Sequence, residues 1–305
     1  MENCTGNFSL TLSFVCTQLP EGLAVFFAAL NIFFSMTAFL GNALILIALH
    51  EVTSVHPPTK LLFRCLAVTD LCVGLISQPL WATVMLNIVT KMKWNILYYV
   101  EVIINVSRLI LLEVSIFTST AISVDRLLAL LLGLRYRHVV TLRRVSVLIT
   151  CFWFTGISLA FMNNFWDGSL SVFVAVGLIA LSVFISLFSY TKISFKLRQQ
   201  QAQLQDGHQG QPNGEGIPLN IARYKKTVFS IVWVQLALAV CYVPFILAFV
   251  SIMKTGWSGM SVAIVRVSFG TLLYLNSSLN PILYCWKIKE VRQAVKDTVR
   301  KFCCS

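Results

Sequence analysis

Charge is scarce in this chain, and negative charge scarcest of all. Of 305 residues only 12 are Asp or Glu, and charged residues of both signs make up 12%, against roughly 25% in a soluble domain. That composition leaves almost no length for a separate soluble domain. Histidine is thin as well: His50, His56, His138 and His208 are scattered along the sequence, so they offer no cluster that could hold a catalytic metal. The N-terminal segment is polar and lacks the pattern of a cleavable signal peptide. A channel or transporter would need a continuous polar path or internal repeats, and the polar groups inside the apolar stretches do not continue past Asp70 except at Arg126.

What fills the chain is apolar length. Residues 24–49, 61–87, 96–124, 145–165, 170–191, 227–253 and 263–286 are seven mostly apolar stretches. Each is about the 20 residues a helix needs to cross a bilayer, where a bare backbone group finds no partner. The sequence therefore predicts an all-α membrane protein, a seven-transmembrane-helix bundle over residues 24–286. Between the helices the loops are short. Residues 199–220, rich in Gln and Gly, are expected to be a disordered third cytoplasmic loop. In residues 287–305, Ile288, Val291, Val295, Val299 and Phe302 recur at helical spacing with cations between them, as in an amphipathic eighth helix on the membrane surface.

The net charge of +12 raises a nucleic-acid partner, and the positions of the cations dismiss it. Lys91, Lys93, Arg108, Lys254 and Arg266 stand apart; the remaining 19 of 24 Lys and Arg lie on the side of the 50–60 turn, the 126–144 turn, the 192–226 segment and the tail. The positive-inside rule puts that side in the cytoplasm and, with seven crossings, residues 1–23 outside. The outer tail carries two sequons, at Asn3 and Asn7, which are candidate glycosylation sites. Sequon-like triplets at Asn105 and Asn276 fall inside helices and are accidents of sequence. Cys4 and Cys16 face the oxidising side, where one tail disulfide is open to them. Cys303 and Cys304 end the basic amphipathic stretch and suit palmitoylation, with two idle thiols as the alternative.

Short motifs then fall on the helices in order. They are Gly41-Asn42, Leu66-Ala67-Val68-Thr69-Asp70, Asp125-Arg126-Leu127, Trp153, Tyr190, Cys241-Tyr242-Val243-Pro244 and Asn280-Pro281-Ile282-Leu283-Tyr284. Along essentially its whole length the chain resembles the rhodopsin-like, class A G-protein-coupled receptors. The resemblance implies a receptor in the plasma membrane that carries an extracellular signal to a heterotrimeric G protein, with arrestin a further partner and membrane lipids its surroundings. It implies no enzymatic activity and no cofactor other than an allosteric sodium ion, held by oxygen ligands in the resting state around Asp70, Ser115, Asn276 and Asn280. It gives Asp125, Arg126, Leu134, Tyr190, Pro244, Pro281 and Tyr284 roles in activation and G-protein coupling. Physics agrees at two points. A carboxylate at mid-span is a costly placement that defaults to function, and Pro244 and Pro281 remove backbone hydrogen bonds where helices can pivot.

Departures from the family pattern bear on the ligand. Glu101 stands where the family usually has a cysteine, Ser182 where a helix-five proline is typical, Tyr242 in place of a tryptophan, and Leu127 in place of a tyrosine. With the very short second outer loop, these features resemble the melanocortin, lysophospholipid and cannabinoid receptor cluster. Residues 223–226, Arg-Tyr-Lys-Lys, carry no acid to restrain Arg126 from helix six. Arg108 lies five helical turns before Arg126, where amine receptors place an aspartate. Residues seven apart return to nearly one face, so Glu101, Arg108 and Ser115 form a polar line running inward toward Asp70. Glu113 lies about 140° from Arg108 on the same helix. The expected ligand set is Glu101, Asn105, Arg108, Leu112, Tyr242 and Arg266. Within it Arg108 and Arg266 would hold an anionic group, as basic residues do in lysophospholipid receptors. A melanocortin-like peptide receptor and a constitutively active receptor are the other readings.

Overall fold

The computed structural model describes residues 19–51, 55–90, 94–166, 168–206, 237, 239–251 and 260–287, with 292, 293, 295, 296 and 300 of the tail. Among these residues there is no strand. Helix α1 is Glu21–Glu51, and α2 runs in two α-helical parts, Pro57–Cys72 and Gln78–Thr90, joined by a π-helical turn, Val73–Ser77. Then follow α3 (Trp94–Leu132), α4 (Leu142–Phe165), α5 (Gly168–Asp206), α6 (Ala239–Ser251) and α7 (Met260–Lys287). Helices α1, α2, α4, α5 and α7 are each long and apolar enough to cross a membrane, and the described part of α6 is a shorter apolar helix. The 39 residues of α3 span about 58 Å at 1.5 Å per residue, well beyond the ~30 Å hydrocarbon layer. The sequence-derived spans fall on these seven helices, except that residues 227–236, 238, 252 and 253 of the sixth lie outside the described residues.

Local chemistry sets several of the boundaries. Pro57 and Pro58 occupy the first turn of α2, where a missing N–H costs nothing. Thr141 caps α4 by accepting the N–H of Arg144 at 3.5 Å. Gly133, at φ +50°, stops α3 in the left-handed conformation that glycine adopts freely. From there the chain bends through a 3₁₀ turn, Gly133–Arg135, into a short helix, Tyr136–Val139. Helix α5 does not stop at the membrane. It continues to Asp206, so residues 199–206 of the expected disordered loop are helical. Gln, Ala and Leu are good helix formers and the first glycine comes only at 207. Residues 207–220 lie outside the described residues, as do 1–18 with Asn3, Cys4, Asn7 and Cys16, the 223–226 segment, and Cys303 and Cys304.

Apolar burial alone does not drive helices together inside a bilayer, so close packing and polar contacts must. At Gly74 in the π turn a Cβ would lie 2.8 Å from the Phe39 nitrogen and 2.9 Å from the Ser35 oxygen. Its absence lets Ser35 Oγ donate to the Gly74 carbonyl at 2.6 Å. At Gly41 a Cβ would meet the Pro281 ring at 2.9 Å. Pro281 has no N–H for the Ser277 carbonyl one turn back, and Asn42 Nδ2 donates to that carbonyl at 3.1 Å instead. The family motifs Gly41-Asn42 and Asn280-Pro281 are thus two halves of one α1–α7 joint. From the tail, Val295 packs against Ala48 near the end of α1, as Val55 also does, in the manner of an inward-facing position of an amphipathic helix.

Candidate functional site

Three polar clusters lie at different depths in the bundle. The central one is built on Asp70, fully buried near the end of the first part of α2. Ser115 Oγ of α3 and Ser277 Oγ of α7 donate to Asp70 Oδ1 at 2.9 and 2.8 Å, and Asn280 Nδ2 donates to Oδ2 at 2.6 Å. One carboxylate therefore ties three helices together. Ser115 and Asn280, both expected around Asp70 from the sequence, hydrogen-bond to it. The sequence places Asn276 here too, but that residue is buried without a hydrogen bond to Asp70, and Ser277 occupies the position instead. Ser277 and Asn280 are three residues apart and share a face as readily as Asn276 and Asn280 do four apart; spacing alone could not choose. Among the described residues no group of three His, Cys, Asp or Glu could hold a metal. The Asp70 cluster is a single carboxylate surrounded by two hydroxyls and one amide, all donating to it.

The second cluster lies near the end of α3 that leads into the Gly133 turn. Asp125 is almost fully buried, accepting from Tyr136 Oη at 2.6 Å on Oδ1 and from Thr59 Oγ1 at 3.0 Å on Oδ2. The two donors also lie 3.0 Å from each other. The left-handed Gly133 makes this closure local, turning Tyr136 back beneath the helix that carries Asp125. Burial, followed by the hydrogen bond to Asp125, pushes the Tyr136 phenol up to about 12, so it stays a donor throughout the physiological range. Arg126 is over a third exposed, with Nε 3.8 Å from Asp125 Oδ2 and its guanidinium carbon 5.6 Å from the centre of the Phe63 ring. Tyr190 is buried in the main apolar cluster, Leu134 stands 96% exposed, and Pro244 is half-buried on α6. Tyr284 lies in the last turns of α7; its side chain is outside what is described. Thr59 and Tyr136 were not singled out from the sequence, where neither falls within an apolar stretch or a motif.

The third cluster occupies the other half of the bundle. Glu101 and Asn105 are buried on α3, and Arg108 Nη2 donates to Asn105 Oδ1 at 3.4 Å. Arg108 Nε is buried without a hydrogen-bond partner. Leu112 and Tyr242 are buried in the main apolar cluster beneath. Three further polar side chains lie in this half of the bundle. Gln78, Trp81 and Tyr274 are all buried, and the Gln78 amide, Trp81 Nε1 and Tyr274 Oη have no protein partner. Trp81 and Tyr274 meet with ring centres 6.3 Å apart. Ser77 donates to Ser107 at 3.0 Å, setting Gln78 and Arg108 beside one inter-helix bond. These residues carry no charge, and a π turn shifts the phase of α2 just before Gln78, so helical periodicity could not bring them to notice. Glu113 is buried with Oε2 unpartnered, as is the Tyr242 hydroxyl.

A family model described as "7 transmembrane receptor (rhodopsin family)" matches residues 41–172 and 160–284. The chain is 24% identical to adenosine receptor A3 of Bos taurus over 297 residues, covering 88% of each. It is 24% identical to melanocortin receptor 4 of Danio rerio over 280 residues, covering 88% of this chain and 81% of that protein. A shorter match, 29% identical over 136 residues and 45% of this chain, is to adenosine receptor A2b of Homo sapiens. The melanocortin receptors belong to the cluster that the sequence departures resemble; the adenosine receptors do not.

Proposed function

Because the chain belongs to the rhodopsin family of seven-transmembrane receptors, a family of G-protein-coupled receptors and not of enzymes, we propose that it answers an extracellular ligand bearing an anionic group, held between α3 and α7. The multi-pass bundle sits in the plasma membrane with residues 1–23 outside and the tail in the cytoplasm. One observation carries the ligand reading: Arg108, in the outer half of α3, has a buried Nε with no hydrogen-bond partner. A buried guanidinium nitrogen without a partner is costly, and a carboxylate or phosphate would satisfy it through a charge-assisted hydrogen bond. Tyr274, whose hydroxyl is buried without a hydrogen-bond partner, and the Gln78 amide are further groups ready to bond a polar ligand. An amine would meet the charge of Arg108 with the wrong sign.

The melanocortin relatives favour a second reading, a peptide ligand; Glu101, buried on α3, is the acid that would answer a basic side chain there. A panel of carboxylates, phosphates, amines and peptides, scored by G-protein activation in cells, separates the two. Anionic compounds are expected to be the agonists. Truncating Arg108 to Ala should then cost about 2 to 5 kcal/mol of agonist affinity, the range for one partner of a buried charged contact. A cationic agonist, or unchanged potency at equal surface expression of Arg108→Ala, refutes the anion reading.

In the resting state we further assign Asp70, with Ser115, Ser277 and Asn280, to a sodium ion. A hydroxyl both donates and accepts, so Ser115 and Ser277 can present oxygen to a cation as well as hydrogen to the carboxylate. The cation would supply the positive charge that a buried carboxylate otherwise lacks.

A further inference from the structure

The outer part of α2 is out of step with its inner part by one residue, and the cause lies on α1. In the π turn the Gln78 N–H bonds the Val73 carbonyl, five residues back, where an α-helix would reach four. The next carbonyl, that of Gly74, then waits for the N–H of residue 79, and Pro79 has none. Ser35 Oγ of α1 donates to it instead, at 2.6 Å. Only glycine at 74 lets α1 come this close, because a Cβ there would stand 2.8 to 3.0 Å from atoms of Phe39, Ser35 and Ala38.

An unbroken α-helix is the alternative, and it fails at a different carbonyl. There the Gln78 N–H would serve Gly74, but the Pro79 ring would press on the Leu75 carbonyl four residues back and leave it without a donor. A bare carbonyl inside a bilayer is costly, so the two registers compete. Pro79 disfavours the α register, and the Ser35 hydroxyl removes the defect of the π register. The choice moves every residue beyond the turn. Converting the π turn to α would carry each residue into the place now held by the next one, about 100° around the axis. Ser77 would stand where Gln78 does, and Leu80 where Trp81 does. In the register observed, Trp81 lies against Gly270 and Tyr274 of α7, and Ser77 bonds Ser107 of α3.

We propose that Ser35 is a positioning residue for the ligand site: through the Gly74 carbonyl it holds the π turn, and the turn presents Gln78 and Trp81, rather than Ser77 and Leu80, to the half of the bundle that holds Arg108. Calling that half the ligand site rests on the anion reading above; the register does not, and its test uses no ligand. p-Benzoylphenylalanine, which joins to neighbouring C–H groups on irradiation, replaces either Leu80 or Trp81 in the purified receptor, and the yield of cross-linked α2–α7 peptide is measured by mass spectrometry. The yield from position 81 should exceed that from position 80. Ser35→Ala should lower the 81-to-80 ratio about fivefold, the weight of one neutral hydrogen bond. Ser35→Ala combined with Pro79→Ala should invert the ratio, because residue 79 then donates to the Leu75 carbonyl of the α register. Thr37→Val removes an α1 hydroxyl that bonds the Phe34 carbonyl of its own helix, and it should leave the ratio unchanged. A ratio unmoved in both Ser35 variants, or moved equally by Thr37→Val, overturns the proposal. With the most potent carboxylate or phosphate of the agonist panel as probe, Gln78→Ala should lower potency about fivefold in the unmutated background and not at all in the double variant. Equal losses in both backgrounds would overturn the positioning role while leaving the anion reading intact. A panel without an anionic agonist ends that reading, and the cross-links still decide the register.

Discussion

Asp125 shows what one buried charge requires of its neighbours. A carboxylate this deeply enclosed is tolerable only when its lone pairs are filled, and Thr59 and Tyr136 fill them with short hydrogen bonds, while Arg126 stands farther off at 3.8 Å. The acid is thus held more firmly by two neutral donors than by the cation beside it, and Arg126 is left partly exposed over Phe63. Residues 223–226 carry no acid that could hold Arg126, and we propose that the Thr59–Asp125–Tyr136 set restrains the resting state. Removing the Tyr136 hydroxyl deletes a hydrogen bond to a charged group, worth about 1.5 to 3 kcal/mol. Tyr136→Phe should therefore raise ligand-free G-protein activation severalfold, measured at equal surface expression. Because the Tyr136 phenol is pushed up to about 12, its donation does not titrate between pH 6 and 8, and the increase should be the same across that window. Unchanged basal output in Tyr136→Phe would show that the hydrogen bond does not restrain the receptor.

Among the helices, the joint between α1 and α7 ranks first in mechanical consequence. Gly41 lets the Pro281 ring approach to where a side chain would stand, and Asn42 takes up the carbonyl that the proline leaves free. A proline ring cannot bend aside, so Gly41→Ala forces the two helices apart and should cost about 1 to 3 kcal/mol, the usual penalty for overpacking. Gly22→Ala, in the same helix with nothing within 4 Å of the added Cβ, should leave thermal stability of the purified receptor unchanged; equal effects of the two would remove the packing argument. This joint also marks where sequence stops being informative. Seven apolar runs, the depth of Asp70 and the face shared by Arg108 and Ser115 were legible, because burial and helical period write themselves into residue type. Ser277 in place of Asn276 was not, since spacings of three and four residues serve a helix face equally. Nor were Gln78 and Tyr274, which a π turn and the absence of charge conceal, nor the run of α5 to Asp206, where helix propensity outlasts the membrane.

Across the whole molecule, the three polar clusters are linked through α3, which carries Arg108, Ser115 and Asp125 in turn. A ligand at one end and a G protein at the other communicate only if each favours the same arrangement of the bundle, and a third ligand at the centre must then be coupled to both. The orientation tests first: an epitope before Met1 should stain on intact cells and one after Ser305 only after permeabilisation, and the reverse pattern would invert every assignment of inside and outside. The central coupling tests next. Asp70 joins α2, α3 and α7 through Ser115, Ser277 and Asn280, so a cation bound there stabilises the packed arrangement and opposes any movement that separates those groups. By reciprocity, sodium should lower ligand-free nucleotide exchange on the G protein, and agonist or G protein should weaken sodium binding in the same proportion. The measurement compares exchange in receptor vesicles as sodium replaces potassium at constant ionic strength, which removes general screening from the comparison. Asp70→Asn keeps the shape and a hydrogen-bonding side chain while removing the charge, so the sodium effect should disappear in it while the receptor still reaches the surface. A sodium-specific decrease that survives in a well-folded Asp70→Asn receptor would show that the ion binds elsewhere. No sodium effect in the unmutated receptor would mean that the three-helix knot is held by its own hydrogen bonds alone.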